Sequence, residues 1–173
     1  MKKLVLIALA TLSLIATPAF AESIGVVNVG KIIKESKAAT SVRSQMQAKN
    51  KAFQGEVEAK EKALLAEDQA LVKQKDSADK AAFEKKVKDF REKAATEQRA
   101  FQSKKGQLDK AYGTALEEIQ KNVLEITKQV AAEKKMNLVL SSAQVLHADA
   151  GLDITDEVLK RLDAKLPTVS VKF

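Results

Sequence analysis

The chain has 173 residues, 30 of them Lys or Arg, 23 Asp or Glu, with one His, no Cys and no Trp. With no cysteine and a single histidine, disulfides, Cys/His metal centres and Ser-His-Asp or Cys-His triads cannot be built, and nothing in the residues points to an enzyme or a bound cofactor. A basic balance without Trp, with a single Tyr, and with no basic patch interleaved with exposed aromatics, argues against nucleic acid as a partner.

Residues 1–21 read as a signal peptide: Lys2 and Lys3 precede an apolar run, and Ala19-Phe20-Ala21 is a small-x-small cleavage site with cleavage after Ala21. The run is too short to span a bilayer comfortably. The short basic start and this site have a bacterial look, which places the mature chain, from Glu22 onward, in a periplasm. An exported chain with no cysteine must be held by packing or association alone.

Ile24-Gly-Val-Val-Asn-Val-Gly30 is a β-branched run expected to form a strand, with Asn28 capping the helix after it. Gly25-x-x-x-x-Gly30-Lys31 has the spacing of a phosphate-binding loop. Ile32 stands where the magnesium-binding hydroxyl belongs, and the glycines flank a strand instead of forming a loop after one. The nucleotide reading is therefore rejected.

Residues 31–134 contain no proline and are rich in Ala, Lys, Glu and Gln, the residues that lose least on entering a helix. Apolar residues recur in steps of three, four and seven. The first half carries Val42, Met46, Phe53, Val57, Leu64 and Leu71. The second carries Phe83, Val87, Phe90, Ala94, Phe101, Leu108, Tyr112, Leu116, Ile119, Val123, Ile126 and Val130. This is the seam of a long helical coil with one phase shift between Leu108 and Leu116. The only expected turn is at residues 75–79, where Asp76 or Ser77 can cap a second helix and Asp79 suits its positive end. Two antiparallel helices follow, with Gly55, Gly106 and Gly113 making the arm bendable.

Beyond the helices, Met136-Asn-Leu-Val-Leu140 reads as a second strand and Gln144-Val-Leu-His-Ala148 as a third, joined by a hairpin at Ser141-Ser142-Ala143. His147 on that strand has the ordinary explanation of a packed or surface side chain. Thr155 is the expected cap of a short helix, with Ile154 and Leu159 placed as a hydrophobic staple and Pro167 ending it. Residues 168–173 alternate and read as either one more strand or a frayed end. Strands from opposite ends of the chain meet only if the helices double back between them. The expected fold class is α+β, mostly α: a helical-hairpin tentacle over residues 35–134 on a small β-rich body of residues 22–34 and 135–173. That body has a core of Val26, Val27, Leu138, Val139, Leu140 and Val145. A core this small is marginal and its open edges invite pairing with another copy, so an oligomer is expected.

Removing Lys2 and Lys3 leaves 28 basic against 23 acidic residues, a mature charge of +5. Residues 73–105 hold eleven Lys or Arg against six Asp or Glu, so the outer arm alone carries that charge. A field of this kind favours anionic partners. The candidate binding residues are Lys73, Lys75, Lys80, Lys85, Lys86, Lys88, Arg91, Lys93 and Arg99.

Val26-Val-Asn-Val-Gly30 leading into a long helix, and Asn137-Leu-Val-Leu followed by Asp153-Ile-Thr-Asp-Glu-Val-Leu-Lys160, resemble the opening and closing signatures of the Skp (OmpH) family of periplasmic chaperones. The resemblance implies a homotrimer with three tentacles around a cavity. It further implies an ATP-independent holdase that keeps unfolded outer-membrane proteins soluble until membrane insertion. The resemblance also implies lipopolysaccharide contacts through basic tentacle residues, and an anionic membrane surface is a further expected partner of the same charge. Those positions do not map one by one onto residues 73–105, so no residue is assigned to lipid. The competing reading is a periplasmic coiled-coil tether or export-channel spacer, which explains the long arm but not the charge at its far end.

Overall fold

The computed structural model describes residues 23–75 and 79–173. Strand β1 (Ile24–Val27) leads through Asn28 into helix α1 (Val29–Glu35), and the Asn28 side chain accepts a hydrogen bond from the Lys31 amide at 2.8 Å. A kink follows that the composition did not announce. Ser36 is extended, its hydroxyl accepts from the Ala39 amide at 3.2 Å, and α2 (Lys37–Gln74) starts in a new direction. The helix expected to run unbroken from residue 31 is therefore two helices. Ser36 is fully buried, so both its side chain and its backbone must find partners inside, and the cap supplies them.

Helix α3 (Lys80–Glu133) has 54 residues and spans about 80 Å. Asp79 caps it, accepting from the Ala82 amide at 3.3 Å; Asp76 and Ser77 lie outside the described residues. The helix continues through Gly106 and Gly113, as α2 does through Gly55. It ends with Lys135 in the left-handed region at φ 56°. There the Met136 amide donates to the Ala131 carbonyl and the Lys135 amide to that of Ala132, the paired bonds that close a helix C-terminus.

Chain reversal then aligns β2 (Leu138–Ser141) parallel to β1, with Ile24 opposite Leu138 and Val27 opposite Ser141. The sheet has two strands, not three. In the expected third strand, Gln144-Val-Leu-His-Ala148, Gln144 ends a 3-10 turn from Ser142 and residues 145–148 are irregular, with Leu146 fully exposed. The segment offers little alternation to bury and leaves the second edge of β2 without a partner strand among the described residues, while the far edge of β1 is taken elsewhere. There the Ile154 amide donates to the Val26 carbonyl and Val26 bridges to Asp153.

Helix α4 (Thr155–Lys165) closes the body. Ile154, Val158 and Leu162, spaced by four, place one face in the core at 2% exposure or less. Thr155 does not cap it. Asp153 accepts from the Thr155 amide at 2.8 Å, while the Thr155 hydroxyl accepts from the Asn28 amide. The helix stops at Lys165, before Pro167, as expected.

The core joins Val27, Ile32, Ala38, Ala39 and Val42 to Ile119, Val123, Ile126 and Val130 of α3, and to the α4 face. Burying a side chain of this size contributes about 1.5–3 kcal/mol. In α3 the buried series is Leu108, Ala111, Ala115, Ile119, Val123, Ile126, Val130. The phase shift thus passes through alanines, and Tyr112 is left 40% exposed. Alanine suits the buried face here, where α2 and residues 168–173 pack close to α3, and the Tyr112 ring lies outside beside Met46 and Asn50.

Candidate functional site

The two long helices zip together by charge. Lys104 meets Glu56, Lys60 meets Glu97 at 2.6 Å, Lys93 meets Glu67, and Lys86 donates to Gln74 at 2.7 Å. Each partner lies three residues beyond a seam position, the flank of a heptad seam, so the pairs fix an antiparallel register. The hydrogen bond to Glu97 holds the Lys60 ammonium above its ordinary range. Between the ladder rungs, Phe53 and Phe101 pack edge to face with centroids 6.2 Å apart.

All nine candidate cations are exposed, but they do not share one role. Lys86 and Lys93 are committed to the ladder. Lys88 reaches Glu92 on its own helix at 3.9 Å. Lys73, Lys75, Lys80, Lys85, Arg91 and Arg99 form no ion pair with any described residue. Six cations are left facing solvent. Around them the outer seam is only half-buried, at Leu71, Phe83, Val87 and Phe90. A shallow groove of about 430 Å³ runs beside Phe83 and Val87, with Lys88 and Arg91 balanced by Glu84 and Glu92 at its rim. The half-buried apolar seam and the six solvent-facing cations around it form an extended surface of apolar contact and positive charge, not an enclosed pocket.

A second surface lies on the body. A groove of about 500 Å³ is lined by Val123, Leu124, Met136, Leu138 and Val139, among others. Leu124 is 56% and Leu138 48% exposed. The expected body core is therefore split. Val26 and Val27 are buried, Val139, Leu140 and Val145 are half-buried, and Leu138 lies open. In this chain alone β2 has one sheet neighbour among the described residues, so its second edge and Leu138 face out.

The body is pinned to the arm root by ion pairs. Arg161 donates twice to Glu133, at 2.7 Å each, and to Glu157 at 2.6 Å. Lys165 meets Glu125 at 2.9 Å. Lys31, the lysine of the phosphate-loop spacing, is bound to Asp156 at 2.7 Å, and Gly30 lies within α1, so that spacing makes no loop. Among the described residues no group of His, Asp or Glu has the arrangement of a metal site. His147 is exposed near Asp149.

A family model described as outer membrane protein (OmpH-like) matches residues 23–162. The chain belongs to the OmpH-like family. A crystal structure from Caulobacter crescentus CB15, described as that of an outer membrane chaperone (OmpH-like), has the same fold with a TM-score of 0.80. It is 22% identical and the match covers 86% of this chain and 88% of the other. No curated protein sequence matches the chain. The OmpH-like match spans both strands, all of α2 and α3, and α4 as far as Leu162. Residues 168–173 lie beyond it, and they are ordered against the arm root: Val169 is 2% and Val171 6% exposed. They are neither a strand nor frayed. Gln45, which no sequence pattern singled out, holds them. A lone glutamine on a helix reads as surface, and its role depends on a segment more than a hundred residues away.

Proposed function

We propose that this OmpH-like protein is an ATP-independent periplasmic holdase that binds unfolded outer-membrane proteins along its arm and keeps them soluble until membrane insertion. The observation that carries the reading is the outer arm: six of the nine candidate cations have no partner among the described residues and lie beside a half-buried apolar seam, on a hairpin far longer than its core requires. Contacts of this kind are individually weak and widely distributed. A client is therefore held without being sequestered and is released when folding into the membrane gains it more.

The body supports association. Two or more copies placed edge to edge would cover Leu138, Leu124 and the second edge of β2, and the resemblance implies three around a cavity. Arms from such an assembly would surround a client with these cations. Lipopolysaccharide or an anionic membrane surface would meet the same cations. The signal peptide assigned to residues 1–21 lies outside the described residues, and cleavage after Ala21 belongs to the same proposal.

The test is light scattering of a denatured outer-membrane protein diluted into buffer with and without the mature protein. Suppression of aggregation at modest molar excess is expected, and its absence would overturn the reading. A soluble fractionated species beginning at Glu22 separates a holdase from an anchored tether.

A further inference from the structure

The segment 168–173 lies extended across the root of the arm in a way that is independent of most of its sequence. The Gln45 side-chain amide pairs with its backbone as a neighbouring strand would. Nε2 donates to the Val169 carbonyl at 2.7 Å, and Oε1 accepts from the Val171 amide at 3.0 Å. The Gln45 amide is itself aimed by Ser41, whose hydroxyl accepts from Nε2 at 3.0 Å. Side chains then alternate: Val169 and Val171 enter the core, while Ser170 and Lys172 face solvent. Past Val171 the track continues as a small groove of about 140 Å³ between Lys49, Ala52, Phe53, Gln107 and Leu108. There the Lys49 ammonium lies 4.7 Å from the centre of the Phe173 ring.

Backbone pairing for affinity and pockets for every second side chain are the features of a strand-accepting groove. We propose that this groove is a second binding site for extended segments with apolar residues at alternate positions, the pattern of an unfolded β-barrel strand, and that residues 168–173 occupy it in cis until a client segment displaces them. The proposal rests on the client class proposed above. Exchange breaks few polar bonds, and an incoming strand must refill the core positions of Val169 and Val171. No described residue other than Gln45 provides a backbone hydrogen bond to the segment, and Pro167 before it has no amide to contribute. The solvent-facing positions make no demand on sequence, so many strands fit and the fixed requirement is the period of two.

The test uses the mature protein, its Val169→Asp/Val171→Asp variant in which the segment is expelled, and that variant with Gln45→Ala added. The probe is a dye-labelled synthetic peptide with valine at every second position and Thr, Ser or Lys between. Its control is an isomer with the valines adjacent. Anisotropy titration should show the expelled variant binding the alternating peptide about tenfold more tightly than the unmodified protein does. The isomer should show no such gain, and Gln45→Ala should remove it. If the expelled variant retains its helical circular dichroism and oligomeric state yet binds no more tightly, the proposal is overturned. Should that variant not fold, amide exchange at Val171 in the unmodified protein decides: acceleration by saturating alternating peptide supports displacement, and no change overturns it. Light scattering on the same samples separates the two readings. Suppressed aggregation without peptide binding removes the groove alone, and peptide binding without suppression removes the holdase alone.

Discussion

The Thr155 hydroxyl accepts a hydrogen bond from the Asn28 backbone amide at 2.8 Å, joining residues 127 apart in the chain. Thr155 is 2% exposed, so water cannot replace it. Thr155→Val keeps the shape and strands the Asn28 amide, which costs about 1–3 kcal/mol. Thr155→Ser should retain most of the stability. Chemical denaturation monitored by circular dichroism measures both, and equal losses in the two variants would show that packing, not the acceptor, matters.

Leu162 and Leu65 are the same residue in opposite settings. Leu162 is fully buried under the arm root, and Leu65 is 58% exposed on the arm. Leu162→Ala is expected to cost about 2–5 kcal/mol, whereas Leu65→Ala should stay within about 0.5 kcal/mol. Urea midpoints compare them directly.

Lys135 ends α3 in a backbone conformation that a side chain resists. Lys135→Gly removes that resistance, and its added unfolded-state freedom offsets part of the gain, so a net stabilisation of about 0.5–1 kcal/mol is expected. A lower melting temperature would show that the lysine makes a contact worth more than the strain.

Acid should loosen the body before the arm. The hydrogen bond from Arg161 holds the Glu133 carboxyl below its ordinary value of 4.5, against a smaller opposing effect of desolvation. A depressed carboxylate contributes stability above its unfolded value and loses it as pH falls through the folded one. The Lys60 ammonium, raised from 10.5 by Glu97, contributes below 10.5 and loses that contribution as pH climbs through the raised value. Both groups sit at the surface, so each effect is small. Melting temperature should be flat between about pH 5 and pH 10 with respect to these two pairs. Glu133→Gln should flatten part of the acid limb.

Replacing Lys73, Lys75, Lys80, Lys85, Arg91 and Arg99 with Gln removes the six solvent-facing candidate cations and leaves the ladder intact. Helix content should be unchanged. Association with an acidic unfolded client should slow by about tenfold or more at low salt, with the difference fading as salt screens it. Stopped-flow fluorescence across ionic strengths reads this. An unchanged rate at low salt would move the binding surface elsewhere.

The sequence by itself determined what short-range periodicity can carry. The seam from Phe83 to Val130, a break between two long helices at residues 75–79, the Asn28 cap and the stop before Pro167 all follow from residues a few positions apart, though the cap expected at Asp76 or Ser77 is Asp79. So did the return of the chain that pairs Ile24 with Leu138, since both strands are β-branched or apolar runs flanking one long helical stretch. Only the tertiary structure decided the rest. Thr155 leaves its own helix to serve Asn28, Tyr112 yields the seam to Ala111 and Ala115, Ser36 breaks a helix that composition would continue, and Gln45 fastens residues 168–173. Each of these turns on a partner distant in sequence, and a buried polar group or a crowded helix face takes whichever partner the packing brings, which no local pattern records.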